Sequence, residues 1–201
     1  MPDYFQLLSA PRRPWLDADV LKQQFLALSS QVHPDKIHSA PDAEKIAAAR
    51  AFAELNAAHR CLSEPKSRLL HLLELELGAK PADIQQIPAG LADLFAEVAT
   101  VCRQTDLFLL EKARATSPLV QVELFGQCQA WLEKLDALQH RLDDCSQRLT
   151  GELQSLDARW VAADAAGRPA VLAALEDLYR LFGYFNRWNR QLTERKMLLM
   201  S

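Results

Sequence analysis

The residues of this sequence whose types and spacing could do chemistry lie together in one short polar stretch, His33-Pro34-Asp35-Lys36. Imidazole nitrogens donate or accept hydrogen bonds, a carboxylate pairs with guanidinium groups, and a lysine adds a cation. Proline has no backbone N–H and disfavours the helical conformation of the residue before it, so a helix that arrives from the N-terminal side must end here. The stretch therefore predicts a polar corner able to hydrogen-bond and ion-pair with another protein.

The segments on both sides of this corner have the periodicity of amphipathic helices. Asp17 or Asp19 is a suitable N-cap for the first helix, which we expect to end near Val32. Its apolar face consists of Leu21, Phe25, Leu28 and Val32. Pro41-Asp42 opens the second helix. Its apolar stripe consists of Ala48, Phe52, Leu55, Ala58 and Leu62. The sequence thus predicts two antiparallel helices joined at the polar corner.

These features together resemble a J-domain, and specifically the HscB-type (Jac-type) co-chaperones of iron–sulphur cluster assembly. The resemblance is carried by the opening Asp-Tyr-Phe-Gln-Leu-Leu at residues 3–8, the helix before the corner, the corner itself, residues 57–62, and the segment Pro-Lys-Ser-Arg-Leu-Leu-His-Leu-Leu-Glu-Leu at residues 65–75. It implies that His33, Pro34 and Asp35 contact a DnaK/HscA-type chaperone ATPase and bias it toward hydrolysis. Lys36 and Lys22 would add to this contact.

One departure from J-domains concerns charge. The helix before the corner usually carries several basic residues in that family, whereas here it has only Lys22. Electrostatic steering toward the chaperone should therefore be weak, and the encounter should depend little on salt.

The composition is that of an ordinary globular protein: 201 residues, 49% hydrophobic and 24% charged, with a formal net charge of -3. A slightly acidic chain is a poor general binder of nucleic acid, because neutralising phosphates supplies most of that affinity. No apolar run reaches the roughly 18 residues of a membrane span, and the N-terminus lacks a secretory signal pattern. We expect a cytoplasmic protein.

The whole chain is expected to be all-α, because it has only six glycines and few alternating β-branched runs. We predict a J-domain with its closing helix at residues 1–77, a connector at 78–87, and a three-helix antiparallel bundle at 88–201. The bundle helices should run from about Pro88 to Ala115, from Pro118 to about Ala165, and from Gly167-Arg168-Pro169 to the end.

A client surface on the bundle is also implied by the resemblance. HscB-type proteins bind the iron–sulphur scaffold through a leucine, methionine and glutamate cluster on the first bundle helix, aided by a hydrophobic residue on the last. The corresponding residues are Leu91, Asp93, Leu94, Phe95 and Phe182, with the methionine replaced and the acidic run thinned. Two alternatives stay open: these residues form the bundle seam, or the bundle binds another client or serves as a structural or oligomerisation module. A J-like scaffold without chaperone function is a third.

The sequence gives little support for a metal site or for an enzymatic active site. His33, Asp35 and His38 could be metal ligands, but the next candidates, His59 and His71, lie on other helices without matched spacing. There is no phosphate-binding glycine loop and no nucleophile elbow. The four cysteines form no C-x-x-C pair and are expected to be small apolar residues. We therefore predict a protein that is not an enzyme and needs no metal or cofactor.

Overall fold

The computed structural model describes residues 2–33, 41–81, 89–115 and 117–201. Within these ranges the chain contains helices and no strand, which confirms the predicted all-α class. The helices are α1 (Tyr4–Leu7), α2 (Ala18–Ser29), α3 (Asp42–Ser63), α4 (Pro65–Leu77), α5 (Ala92–Arg114), α6 (Pro118–Ala162) and α7 (Arg168–Met200), with one 3₁₀ turn at Ala89–Leu91 before α5. Across the described ranges, no helix is both long enough and apolar enough to cross a bilayer.

The start of α2 is set by Asp17, whose side chain accepts hydrogen bonds from the backbone N–H groups of Asp19 and Val20. Of the two expected caps, Asp17 is therefore the one used. The helix ends at Ser29, three residues before the predicted end at Val32. The Ser29 and Ser30 hydroxyls donate to the carbonyls of the last turn, and such local bonds compete with continuation of the helix.

The closing helix α4 runs from Pro65 to Leu77. The Glu64 side chain accepts from the N–H groups of Lys66 and Ser67, and Pro65 occupies the first turn, where its missing N–H costs nothing. Gly78 ends the helix with φ at 71°, the left-handed conformation that glycine adopts without strain. Between these ends, Leu69, Leu72 and Leu73 are fully buried.

The first of two compact units comprises Met1–Ala82 together with Thr150–Arg180. The loop between α1 and α2 joins these two parts of the chain. Asp157 accepts hydrogen bonds from the Arg13 guanidinium (Nε to Oδ1, 2.9 Å) and from the Trp15 N–H (3.1 Å). The Trp160 indole N–H donates to the Arg12 carbonyl at 3.1 Å. The end of α6 is thereby hydrogen-bonded to the N-terminal helices of this unit.

A buried arginine completes this unit. Arg68 is only 4% exposed, yet its Nε donates to the Pro14 carbonyl at 2.7 Å and its Nη1 to the Leu62 carbonyl at 2.5 Å. Burial lowers the pKa of Arg68 to about 10, so the guanidinium remains charged at neutral pH. It ties the loop before α2 to the junction of α3 and α4.

The second compact unit comprises Asp83–Leu149 and Leu181–Ser201, in which parts of α5, α6 and α7 pack as three helices. Helix α6 runs antiparallel to both neighbours. Against α5, Arg141 pairs with Glu97 and Trp131 packs on Phe108. Against α7, Asn189 bonds to Asp143 and Lys196 to Gln139. Up-down-up packing is what the sequence predicted for this part of the chain.

The length of α6 explains why a second segment of the chain, Thr150–Arg180, belongs to the first unit. Its 45 residues extend about 68 Å at ~1.5 Å per residue. Its last part, with the start of α7, packs with the N-terminal helices instead of the bundle. The predicted limits of the connector at residues 78 and 87 stay a prediction, because residues 82–88 lie outside the described ranges.

Candidate chaperone-binding and client-binding surfaces

The helices on either side of the polar corner lie side by side. Phe25 of α2 stacks on His59 of α3 with ring centroids 4.4 Å apart. Closer to the corner, His33 meets Phe52 edge-to-face at 5.2 Å. Moving along the chain from Phe25 to His33, the contacted residue of α3 moves back from His59 to Phe52, so the two helices are antiparallel as predicted.

The structure describes two of the five predicted chaperone-binding residues. His33 is half-buried against Phe52, directly after the end of α2. Lys22 is exposed on α2, whose last turn carries no basic residue. Pro34, Asp35 and Lys36 lie outside the described residues, so their assignment to the chaperone contact stays a prediction.

Two histidines considered as metal ligands have packing roles. His59 is stacked on Phe25, and the Nε2 atom of His71 accepts the Tyr4 backbone N–H at 3.0 Å. In the part of the chain that the structure describes, no three histidine, cysteine or acidic side chains are grouped so that they could hold a metal ion. His38 and Asp35 lie outside that part. All four cysteines are free thiols, and burial raises the pKa of Cys61 to about 11, which keeps it protonated.

The predicted client-binding residues divide into an accessible group and one buried residue. Leu91 and Leu94 are half-buried, Asp93 is exposed, and the Phe95 side chain is 40% exposed. Phe182, in contrast, is only 5% exposed within the bundle core. Its place in the client surface must therefore be corrected: a ring that fills the seam of α7 is not accessible to a partner.

Phe95 lies at one end of a groove of about 390 Å³ between α5 and α7. Its ring is 6.2 Å from that of Trp188, which is stacked with Tyr184 at 5.9 Å. Trp188 is buried and held edge-on by Phe185 at 5.3 Å. The groove therefore has a rigid aromatic floor.

Arginines line the rest of this groove. Arg195 donates to the Cys102 carbonyl at 3.2 Å, the Gln191 carbonyl at 3.0 Å and the Asp106 carboxylate at 2.6 Å. Burial acts to lower the pKa of Arg195, but its hydrogen bond to Asp106 and the attraction of nearby acidic groups together outweigh burial, and the net pKa is raised. Arg103 and Arg187 line the same groove and are exposed.

Sequence reasoning identified Phe95 but missed the arginines and Trp188. Phe95, Ala99 and Arg103 recur every four residues on α5, and Tyr184, Trp188 and Gln191 follow helical spacing on α7. Each set is visible as a helix face. The residues of α7 that stand opposite Phe95 depend on the register of the two helices, which single-helix periodicity does not give.

Comparison with known proteins identifies the N-terminal region and the fold. Residues 3–71 match the family model of the DnaJ domain. Along 98% of its length the chain is similar in structure to chaperone HscB from Vibrio cholerae, with 19% identity, a TM-score of 0.59 and 99% of that chain covered. It is equally similar in sequence, at 19% identity, to human co-chaperone protein HscB, with a TM-score of 0.62, 98% of this chain and 83% of that chain covered.

Proposed function

We propose that this chain, a J-domain protein with the fold of the HscB co-chaperones, stimulates the ATPase of a DnaK/HscA-type chaperone through its His33-Pro34-Asp35 corner. The observation that carries the proposal is the match of residues 3–71 to the DnaJ domain, in which α2 and α3 form an antiparallel pair on either side of that tripeptide. The chain acts on another protein's catalytic centre, and we expect no catalysis of its own. We expect it to work in the cytoplasm.

The physical role of the corner follows from its residue types. Asp35 is a short carboxylate beside a rigid proline, placed to accept charge-assisted hydrogen bonds from an arginine of the chaperone. His33 is held against Phe52 and so approaches the chaperone from a fixed position. Because Lys22 is the only cation on α2, short-range pairing at the corner contributes more than long-range steering.

The ATPase of the purified chaperone tests this proposal. Single-turnover hydrolysis would be measured with the chain, without it, and with the Asp35→Asn variant, which keeps the shape of the side chain and removes its charge. Asp19→Asn, an isosteric change at an exposed aspartate in the first turn of α2, is the matched control. We expect stimulation by the wild type and the control and none by Asp35→Asn.

The client of this co-chaperone is proposed to be the scaffold protein on which iron–sulphur clusters are built. The sequence resemblance to HscB-type proteins supports this choice. The accessible residues Leu91, Asp93, Leu94 and Phe95 offer a surface on α5 and on the turn before it. Isothermal titration of the purified scaffold into the chain checks the assignment: a saturable heat supports it, and no detectable binding leaves the J-domain function without this client.

An alternative role for the bundle, as an oligomerisation module, is favoured by one observation. In the second unit Val122 is 74% exposed, Phe125 67% and Met200 66%. Exposed apolar side chains at this density are typical of interaction surfaces. Light scattering across a range of concentrations measures the mass of the particle. A dimer would assign these side chains to self-association, and a monomer at all concentrations would remove this alternative.

A further inference from the structure

We propose that the groove between α5 and α7 receives an acidic segment of the client, with an apolar side chain placed on Phe95 and Trp188 and carboxylates beside Arg103 and Arg187. The inference rests on the proposed client-binding function and adds the chemistry of the segment that is bound. It differs from what the resemblance implied, which was a contact surface on α5 whose acidic charge Asp93 keeps.

The aromatic floor supplies the apolar half of this recognition. The Phe95 ring is 40% exposed although it is only 6.2 Å from the buried ring of Trp188. A partner side chain that covers it removes apolar surface from water, which favours binding. Because Trp188 is buried and packs against Tyr184 and Phe185, the floor is formed before a partner arrives and ordering it costs little.

Charge complementarity supplies the polar half. The groove is lined by three arginines, Arg103, Arg187 and Arg195, against one acidic residue, Asp106, although the chain as a whole carries a net charge of -3. Asp106 is already paired with Arg195. Arg103 and Arg187 are exposed, and neither forms an ion pair with a residue that the structure describes. Two guanidinium groups therefore remain on opposite helices, where carboxylates of one bound segment can pair with both.

A peptide fits these features better than a nucleic acid does. Binding of a nucleic-acid backbone relies on many neutralised phosphates, and a groove with two available cations on an acidic chain offers few. A short segment with one apolar anchor and two or three acidic residues uses both the floor and the arginines. Recognition of acidic motifs by arginines is a common mode of peptide binding.

Selection from a displayed library of random peptides tests the proposal without a chaperone or a scaffold. The full chain is the target, and the Arg103→Glu/Arg187→Glu double variant is used for counter-selection. We expect the enriched peptides to combine aspartate or glutamate with leucine, isoleucine, methionine or phenylalanine. Enrichment without an excess of acidic residues, or no enrichment at all, would overturn the proposal.

Fluorescence anisotropy of the best enriched peptide then measures the role of each side chain. We expect the double variant to weaken binding by about tenfold or more, because two attractions to the carboxylates of the peptide become repulsions. The matched control is Arg114→Glu/Arg148→Glu, which makes the same change of charge at two exposed arginines of this unit outside the groove, and it should change affinity by less than about twofold. Equal losses of affinity in both variants would mean that only the net charge of the chain matters. The groove would then not be the binding site.

Three further outcomes would change this inference or the function on which it rests. A labelled single-stranded oligonucleotide that bound through the same two arginines would overturn the assignment to a peptide. If acidic peptides bind the groove while the chain fails to stimulate any chaperone ATPase, the proposed co-chaperone function fails and the binding site stands. If stimulation is normal and the peptides bind elsewhere, only the groove is wrong.

Discussion

His71 is a histidine held neutral inside the first unit. It is 3% exposed, stacks with the rings of Tyr4 and Phe5 at centroid distances of 4.6 and 5.7 Å, and accepts the Tyr4 N–H at Nε2. Burial lowers the pKa of His71 below the ordinary 6.5, against the opposing effect of the nearby carboxylates of Asp3 and Glu74. Protonation of Nε2 would also break this hydrogen bond, because the new N–H group would face the Tyr4 backbone N–H and both groups are donors.

The lowered pKa of His71 predicts a loss of stability in mild acid. As pH falls through 6.5, the unfolded chain gains a proton at this residue that the folded chain resists, so the free energy of unfolding decreases. Urea unfolding at about pH 7.5 and about pH 5.5 measures this.

The matched variants for this measurement are His71→Gln, which does not titrate, and His140→Gln at an exposed histidine. We expect the first to flatten the dependence on pH and the second to keep it. An unchanged slope in His71→Gln would contradict the role given to this residue.

Asp157 is the residue through which the end of α6 is hydrogen-bonded to the loop before α2. It is 3% exposed and accepts from both Arg13 and the Trp15 backbone. We expect Asp157→Asn to lower the free energy of unfolding by about 2 kcal/mol, because hydrogen bonds to a charged group are replaced by weaker neutral ones. Urea unfolding followed by circular dichroism is the measurement.

The control for Asp157 is Glu54→Gln, which breaks the solvent-exposed pair with Arg50 on α3. Exposed ion pairs contribute little, so this change should stay within about 0.5 kcal/mol of the wild type. If the two variants lost similar free energies of unfolding, the buried pair of Asp157 would contribute no more to stability than an exposed one.

At this residue scale the sequence predicted local features well and distant partners poorly. The cap at Asp17 and the stop at Gly78 follow from local residue types, because a carboxylate accepts the free N–H groups of its own helix and glycine adopts the left-handed conformation without strain. The partner of Asp157 lies 144 residues away, and nothing in the local pattern around Arg13 indicates it. The resemblance assigned Phe182 to the client surface, and the sequence did not reveal its burial, because that burial depends on the helices that pack against α7.

The end of α4 gives a prediction at the scale of an element. Gly78 has φ at 71°, and a Cβ added there would meet no atom within 4 Å, so backbone strain is the only cost of a side chain. We expect Gly78→Ala to destabilise the protein by about 1 kcal/mol. Urea unfolding measures the change.

The matched control is Gly151→Ala, which adds the same methyl group in the interior of α6, also into open space. Alanine is the better helix former, so this variant should be stabilised by up to about 1 kcal/mol. Two variants that moved stability in the same direction would contradict the conformational argument.

Helices themselves were predictable, and their ends less so. The stripes of α3, α5 and α7 are visible in the sequence because burial repeats every three or four residues. The predicted start of α5 at Pro88 falls before a 3₁₀ turn at Ala89–Leu91, and the regular helix begins at Ala92. The N-cap residue Leu91 has no side-chain group that could accept the free N–H groups of this helix, so its type does not mark the start.

At the scale of the whole molecule, the sequence predicted an N-terminal J-domain and a helical bundle, and the DnaJ match and the HscB-like fold agree with this. It did not predict that residues 150–180 would pack with the N-terminal helices. That packing depends on the length of two antiparallel helices and on polar contacts such as Trp160 to Arg12, which have no periodic pattern. The sequence also did not predict the groove lined by Arg103 and Arg187, because the groove depends on which residues of α7 face α5.

The decisive measurement is the single-turnover ATPase of a purified DnaK/HscA-type chaperone. It would be made with the wild-type chain and with Asp35→Asn, to test whether the His33-Pro34-Asp35 corner stimulates hydrolysis. We expect the wild type to accelerate hydrolysis by about tenfold or more, and the variant, folded as judged by circular dichroism, to lose this effect because one charge-assisted contact is lost. Equal acceleration by both proteins would contradict the assignment of the His33-Pro34-Asp35 corner, and no acceleration by the wild type would contradict the co-chaperone function itself.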